Sequence, residues 1–160
     1  LSGFNARYGA KSMGFLSKLQ APKATIAVLL DKGTYSLREP LQGKLDISSS
    51  EEFDTDEIRI EFSVTEWTKA TQQKQVGQQT VPVTAEQSAA LHKGKLTVAG
   101  GRHFTSGFRD SIPFSLSLPS NVPPTYRGQN ARNTWMMKGV IGVKGRPDVE
   151  TRETEVVITY

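Results

Sequence analysis

From Ser111 to Tyr160 the chain alternates apolar with polar residues between proline stops, and no helical period survives in that stretch. Ile112, Phe114, Leu116 and Leu118 alternate with Pro113, Ser115 and Ser117 as far as Pro119. Successive residues of a strand face opposite ways, so this pattern makes one buried and one wet face. Proline has no N–H to give a ladder, which makes Pro119 and the pair Pro123-Pro124 strand stops. The small hinge Tyr126-Arg127-Gly128 follows, then a long strand predicted over about Thr134–Val143 and a last one over Thr151–Ile158. The end of the chain is all-β.

The remainder reads the same way. Thr25 to Leu30 alternates, Asp31-Lys32-Gly33 makes a turn, Tyr35 opens a new element, and Gly43 to Ile47 alternates again. Ile58, Ile60, Phe62 and Val64 point one way and Arg59, Glu61, Ser63 and Thr65 the other, predicting a half-buried strand over Ile58–Lys69. Trp67 falls near its end, where the chain is expected to turn over an edge. Thr71 to Gln79 is polar and Gln-rich, with a weak strand predicted over Lys74–Val83. Thr84 followed by Gln87 ahead of Ala89, Ala90 and Leu91 is a capping-box pattern, which predicts one short helix near 85–92. Lys95–Val98 is a further strand, and Gly100-Gly101 and Gly107 punctuate the loop beyond it. About eight strands divided by turns favour a two-sheet antiparallel sandwich.

The order of these elements resembles the amino-terminal domain of the arrestin fold. The residues that carry the likeness are Phe114 to Pro119, then Pro123, Pro124, Tyr126 and Gly128, then the long strand and the charged final one. At the front, Leu30-Asp31-Lys32, Tyr35 and the Gly43-led strand match, whereas Ser36-Leu37-Arg38-Glu39 stands where the family has Pro-Gly-Glu. Tyr126 to Asn130 is similar to the arrestin-fold subunit of the retromer coat. Gly142 to Asp148 is more similar to the arrestin-like proteins of bacteria and archaea, including those of sporulation control. The resemblance spans about residues 24–160. It implies an arrestin-like, immunoglobulin-like β-sandwich acting as a non-enzymatic cytoplasmic scaffold or adaptor in membrane trafficking or cargo sorting. Such a domain would bind partner proteins or peptides, strand addition being one route. The alternative it implies is a prokaryotic regulatory or structural protein of sporulation-control type, without a cargo role. Arrestin-fold proteins usually pair two such domains, so a second sandwich is expected after Tyr160. A carbohydrate-binding sandwich is a third reading; it would want exposed aromatic platforms, and Trp67 and Trp135 sit at strand positions that core packing explains.

Composition narrows the chemistry. There is no cysteine, which excludes disulfide staples, zinc fingers and thiol catalysis. No Asn-x-Ser/Thr acceptor is present either, favouring an intracellular site, and no run approaches the roughly 18 apolar residues of a membrane span. The net charge of +4 belongs to residues 1–23, which hold Arg7, Lys11, Lys18 and Lys23 and no acid. Residues 24–160 are neutral as a whole. A basic leader on a neutral body argues against a nucleic-acid partner. The chain begins with Leu1, so residues 1–23 are expected to be a basic leader, partly tag-derived or disordered, with a natural start at Met13-Gly14. Lys18 departs from the myristoylation pattern. Phe15, Leu16 and Leu19 are expected to plug one end of the sandwich, with peripheral membrane contact as the alternative.

No constellation reads as an active site. His92 and His103 lie apart, without carboxylates at ligand spacing, and are read as solvated loop residues. Glu51, Glu52, Asp54, Asp56 and Glu57 lack the EF-hand register and its glycine, and are read as loop charge rather than a calcium site. No catalytic, metal or cofactor residue is assigned. Charge is nevertheless uneven along the body. Residues 39–66 hold nine acids against Lys44 and Arg59, while residues 93–146 hold nine bases against Asp110. Lys93, Lys95, Arg102, Arg109, Arg127, Arg132 and Lys138 therefore form a candidate surface for an acidic or phosphorylated partner. The competing reading is that the two stretches lie side by side and neutralise each other, at about 1 kcal/mol or less per exposed pair.

Overall fold

The computed structural model describes residues 19–160. Three strands, β1 (Ala24–Leu30), β3 (Leu41–Ser49) and β7 (Arg109–Leu116), form a small antiparallel sheet in the order β1-β3-β7. The large sheet runs β2 (Thr34–Ser36), β11 (Thr154–Thr159), β9 (Ala131–Val143), β4 (Phe53–Val76), β5 (Gln79–Gly100). Short strands attach to it: β6 (His103–Phe104) to β4, and β8 (Tyr126–Arg127) and β10 (Val149–Glu150) to β9. Among the described strands, only β2 and β11 pair in parallel.

The predicted alternation is what joins the two sheets. Ile26, Leu45, Ile47, Phe114 and Leu116 from the small sheet meet Ile58, Ile60, Val64, Trp135, Met137, Ile141 and Ile158 from the large one in a single buried cluster. Each fully buried side chain of this size contributes about 1.5–3 kcal/mol of transfer free energy. Tyr35 is part of that cluster and is also pinned by its hydroxyl, which donates to the Gln42 carbonyl at 2.6 Å and accepts from the Lys32 N–H at 3.0 Å. The proline loop is tied down from β9. Asn133 Nδ2 donates to the carbonyls of Pro123 and Pro124 at 2.6 and 2.8 Å, and Trp135 Nε1 to that of Pro123 at 2.9 Å.

Several sequence expectations are corrected. The short helix near 85–92 is strand: Thr84 to Ala90 pairs residue by residue with β4, from Thr71↔Thr84 to Thr65↔Ala90. A capping box is worth about 1 kcal/mol, and a continuous cross-strand ladder outweighs it. The strand expected over Lys74–Val83 is broken by the turn at Gly77, whose φ of 65° is a left-handed conformation that glycine adopts without strain. Nor does the chain leave the sheet near Trp67; β4 runs on to Val76. The last predicted strand starts three residues late, at Thr154, because Thr151 turns back onto Gly139 between β10 and β11. Met13 to Lys18 lie outside the described residues, and Leu19 of the expected plug is exposed and outside the core cluster.

Candidate functional site

The outer face of the large sheet carries a connected network of charges. β4 presents Arg59 and Glu61 there, and register sets Glu61 between Lys95 of β5 and Lys138 of β9. Arg59 is the hub: its guanidinium reaches Glu61 at 2.7 Å, Asp148 at 2.9 Å and Glu57 at 3.3 Å. Burial works to lower the Arg59 pKa, but the bonds to Glu61 and Asp148 prevail and raise it. Glu61 is held below the usual carboxylate range by the Arg59 hydrogen bond. Lys138 reaches Glu150 at 2.8 Å and Glu61 at 3.4 Å, and its pKa is raised chiefly by Glu150. Lys95 meets Glu57 at 3.3 Å; the Glu57 pKa is lowered first by the Thr97 hydroxyl and then by Lys95.

The structure divides the seven candidate bases among three places. Lys93, Lys95 and Lys138 line an open trough of about 420 Å³ with Glu61, Met136 and Glu153. Arg127 and Arg132 line another of about 450 Å³ near β8, where Arg127 pairs with Glu155 and Arg132 stacks over the Trp67 ring at 4.6 Å. Arg109 lies beside Thr25 and Ser48 on the small sheet, and Arg102 pairs with Asp110 at 2.9 Å. Among the described residues, Lys93 and Arg109 of the seven make neither an ion pair nor a cation–π contact.

The acidic stretch is similarly occupied. Arg146 bonds Glu51 at 2.5 Å and the Gln20 carbonyl at 3.0 Å, fastening the chain's entry to the sandwich, and lowers the Glu51 pKa. His103 lies between Asp54 at 2.8 Å and Glu52 at 3.2 Å, which the sequence spacing did not reveal, and Asp54 is the main cause of its raised pKa. No group of three His, Asp or Glu residues that could hold a metal occurs among the described residues. Among them, no helix is long and apolar enough to cross a membrane.

The most distinctive surface is one that charge patterning does not mark. Pairing of β4 with β9 stops at Thr68↔Ala131, while β4 and β5 go on pairing as far as Val76↔Gln79. From Lys69 to Glu86 the two strands pair only with each other among the described residues, apart from the Lys69 N–H, which donates to the Asn130 carbonyl at 2.8 Å, and no residue of this ribbon is buried. Its two faces differ. One carries Lys69, Thr71, Gln73, Gln75, Thr80, Pro82, Thr84 and Glu86. The other, which continues the core side of β4, carries Ala70, Gln72, Lys74, Val76, Gln79, Val81, Val83 and Ala85. Val76 and Val83 are 59% and 45% exposed. The spacing of two among Val81, Val83 and Ala85 was the available sequence signal. β5 ends the sheet order, and register shifts leave Leu91 and Val98 as bulges in it.

These features define the class: an arrestin-like β-sandwich carrying a projecting edge hairpin. Among solved structures it is similar to the sporulation control protein Spo0M of Bacillus subtilis, with a TM-score of 0.61 and 16% identity over 86% of this chain and 50% of that one. The chain thus spans about half the length of that structure. No family model matches the sequence, and no curated protein matches it.

Proposed function

We propose that this domain is a non-enzymatic protein-interaction module of the regulatory, sporulation-control kind rather than a cargo-sorting adaptor. The shared fold with Spo0M supports the regulatory reading, whereas the sorting reading has only the sequence resemblance behind it. The observation that carries the proposal is the ribbon from Lys69 to Glu86. It is amphipathic, yet it adds nothing to the domain's own core. Ordering a residue costs about 1–2 kcal/mol of backbone entropy, and an apolar face left in water recovers little of it. Contact with another surface supplies the missing burial.

The candidate basic surface takes a narrower form within this reading. Lys93 and Arg109, free of pairing among the described residues, and Arg132, which stacks on Trp67 but meets no carboxylate among them, are the cations available to an acidic or phosphorylated segment; the other four bases would first have to leave their carboxylates. The test is affinity capture from the host lysate with the intact chain and with a chain in which residues 69–86 are replaced by Asn-Gly. Partners held by the intact chain and lost by the shortened one are expected. Identical captures would refute the ribbon as contact element.

A further inference from the structure

We propose that the ribbon's apolar face docks on the same face of a second copy of this chain, antiparallel, about a two-fold axis through the Ala70↔Ala85 pair. This rests on the reading of the ribbon as a contact element and adds its occupant. The face holds two charges, Glu66 and Lys74, of opposite sign and each four residues from Ala70 on β4. Neither forms an ion pair among the described residues. Reversing one face over another about Ala70 sets Lys74 of each copy over Glu66 of its mate. On β5 the same operation sets Val81 over Ala89 and Val83 over Gln87, and the small pair Ala70↔Ala85 at the axis lets the ribbons approach closely. An isologous interface needs this self-complementarity, and the opposite face lacks it: Lys69 and Glu86 are a cross-strand pair 4.0 Å apart.

Docking by face rather than by strand addition follows from the edge itself. Bulges at Leu91 and Val98, and Pro82 with no N–H to donate, interrupt the ladder that an added strand would need. Because Val64 is buried in the sandwich, the overlap about Ala70 runs from residue 66 to 74, about 31 Å long at ~3.4 Å per residue and about 10 Å wide. That is smaller than the roughly 800 Å² per partner of a standard interface, so the dimer is weak and concentration-dependent.

Sedimentation velocity of the intact chain from low to high micromolar concentration should show a reversible monomer–dimer shift. Glu66→Lys or Lys74→Glu alone puts like charges at both symmetry-related contacts and should weaken association about tenfold. The double variant Glu66→Lys/Lys74→Glu restores opposite charges and should return it to nearly the parent value. Both side chains are exposed, so thermal melts of all three variants should overlay the parent. A chain that sediments as a monomer throughout, or single variants without effect, or a double variant without rescue, overturns the dimer. Loss of lysate partners on ribbon shortening together with a purely monomeric parent would overturn self-association and leave the contact reading intact. Unchanged capture together with a charge-swap rescue would keep the ribbon as a self-contact and overturn its role in holding other proteins.

Discussion

Replacing Asn133 by aspartate exchanges a donor for an acceptor at the point where β9 holds the proline loop. Asn133 is 4% exposed, and its Nδ2 serves the carbonyls of both Pro123 and Pro124. Its Oδ1 has no partner among the described residues, so the donor side anchors the group. Asn133→Ala removes two hydrogen bonds and leaves the Pro124 carbonyl without this donor, while Pro123 keeps Trp135 Nε1. A cost of about 1–3 kcal/mol is expected. Asn133→Asp adds a buried carboxylate facing two carbonyl oxygens, and should cost about 3–5 kcal/mol at neutral pH. Burial raises the folded-state pKa of that aspartate above its unfolded value of about 3.9. The folded state then binds more protons, so the excess penalty of Asp over Ala is full above the raised pKa and shrinks as pH falls through it. Urea denaturation of the three proteins across pH measures this directly. An Asp variant as stable as the Ala variant at neutral pH, or a gap that widens on acidification, would refute the reasoning.

Three further outcomes follow from the same structure. Gly43→Ala places a Cβ 2.3 Å from the Leu29 carbonyl oxygen, a backbone atom of the neighbouring strand, so β1 must move; about 1–3 kcal/mol of destabilisation is expected, read as a Tm lowered by several degrees. Arg59→Met leaves Glu57, Glu61 and Asp148 without their shared cation, and because these acids are partly solvated the cost should be about 1–2 kcal/mol in a urea midpoint, smaller in high salt. His103, raised mainly by its bond to Asp54, should titrate above 6.5 by NMR, and Asp54→Asn should bring the midpoint back toward that value; any stability the pair adds is present below the unfolded pKa and lost as pH rises through the folded one.

What was legible in the sequence was what period and punctuation encode. Ile58, Ile60 and Val64 alternate because one sheet face is buried, and Pro119, Pro123 and Pro124 fall in the loop between β7 and β8, where no ladder needs an N–H from them. The β5 segment from Thr84 to Leu91 misled because its local preferences are helical, while its state is set by β4 residues thirteen to twenty-five positions earlier in the chain. No window reading sees that register. The charge stretches illustrate the same limit: nine bases against one acid reads as a basic surface, but pairing across β5, β4 and β9 sets Lys95 and Lys138 on either side of Glu61. Segment charge is a property of the chain, and surface field is a property of the register.

The two observations meet in the ribbon. On the sandwich, β4 and β5 exchange charges with β9 and β10, and of the seven candidate bases Lys95, Arg102, Arg127 and Lys138 are paired with carboxylates. Past Thr68, β9 stops and the same two strands carry an amphipathic pattern with nothing opposite among the described residues. A strand pair that keeps its apolar side dry inside the domain and leaves it wet outside invites completion by another surface. The bulges in β5 keep that completion from becoming open-ended edge pairing, and the placement of Glu66 and Lys74 around Ala70 limits it to one register. Contact by a closed, self-limiting face suits a regulatory module better than a scaffold that must accept many cargo strands.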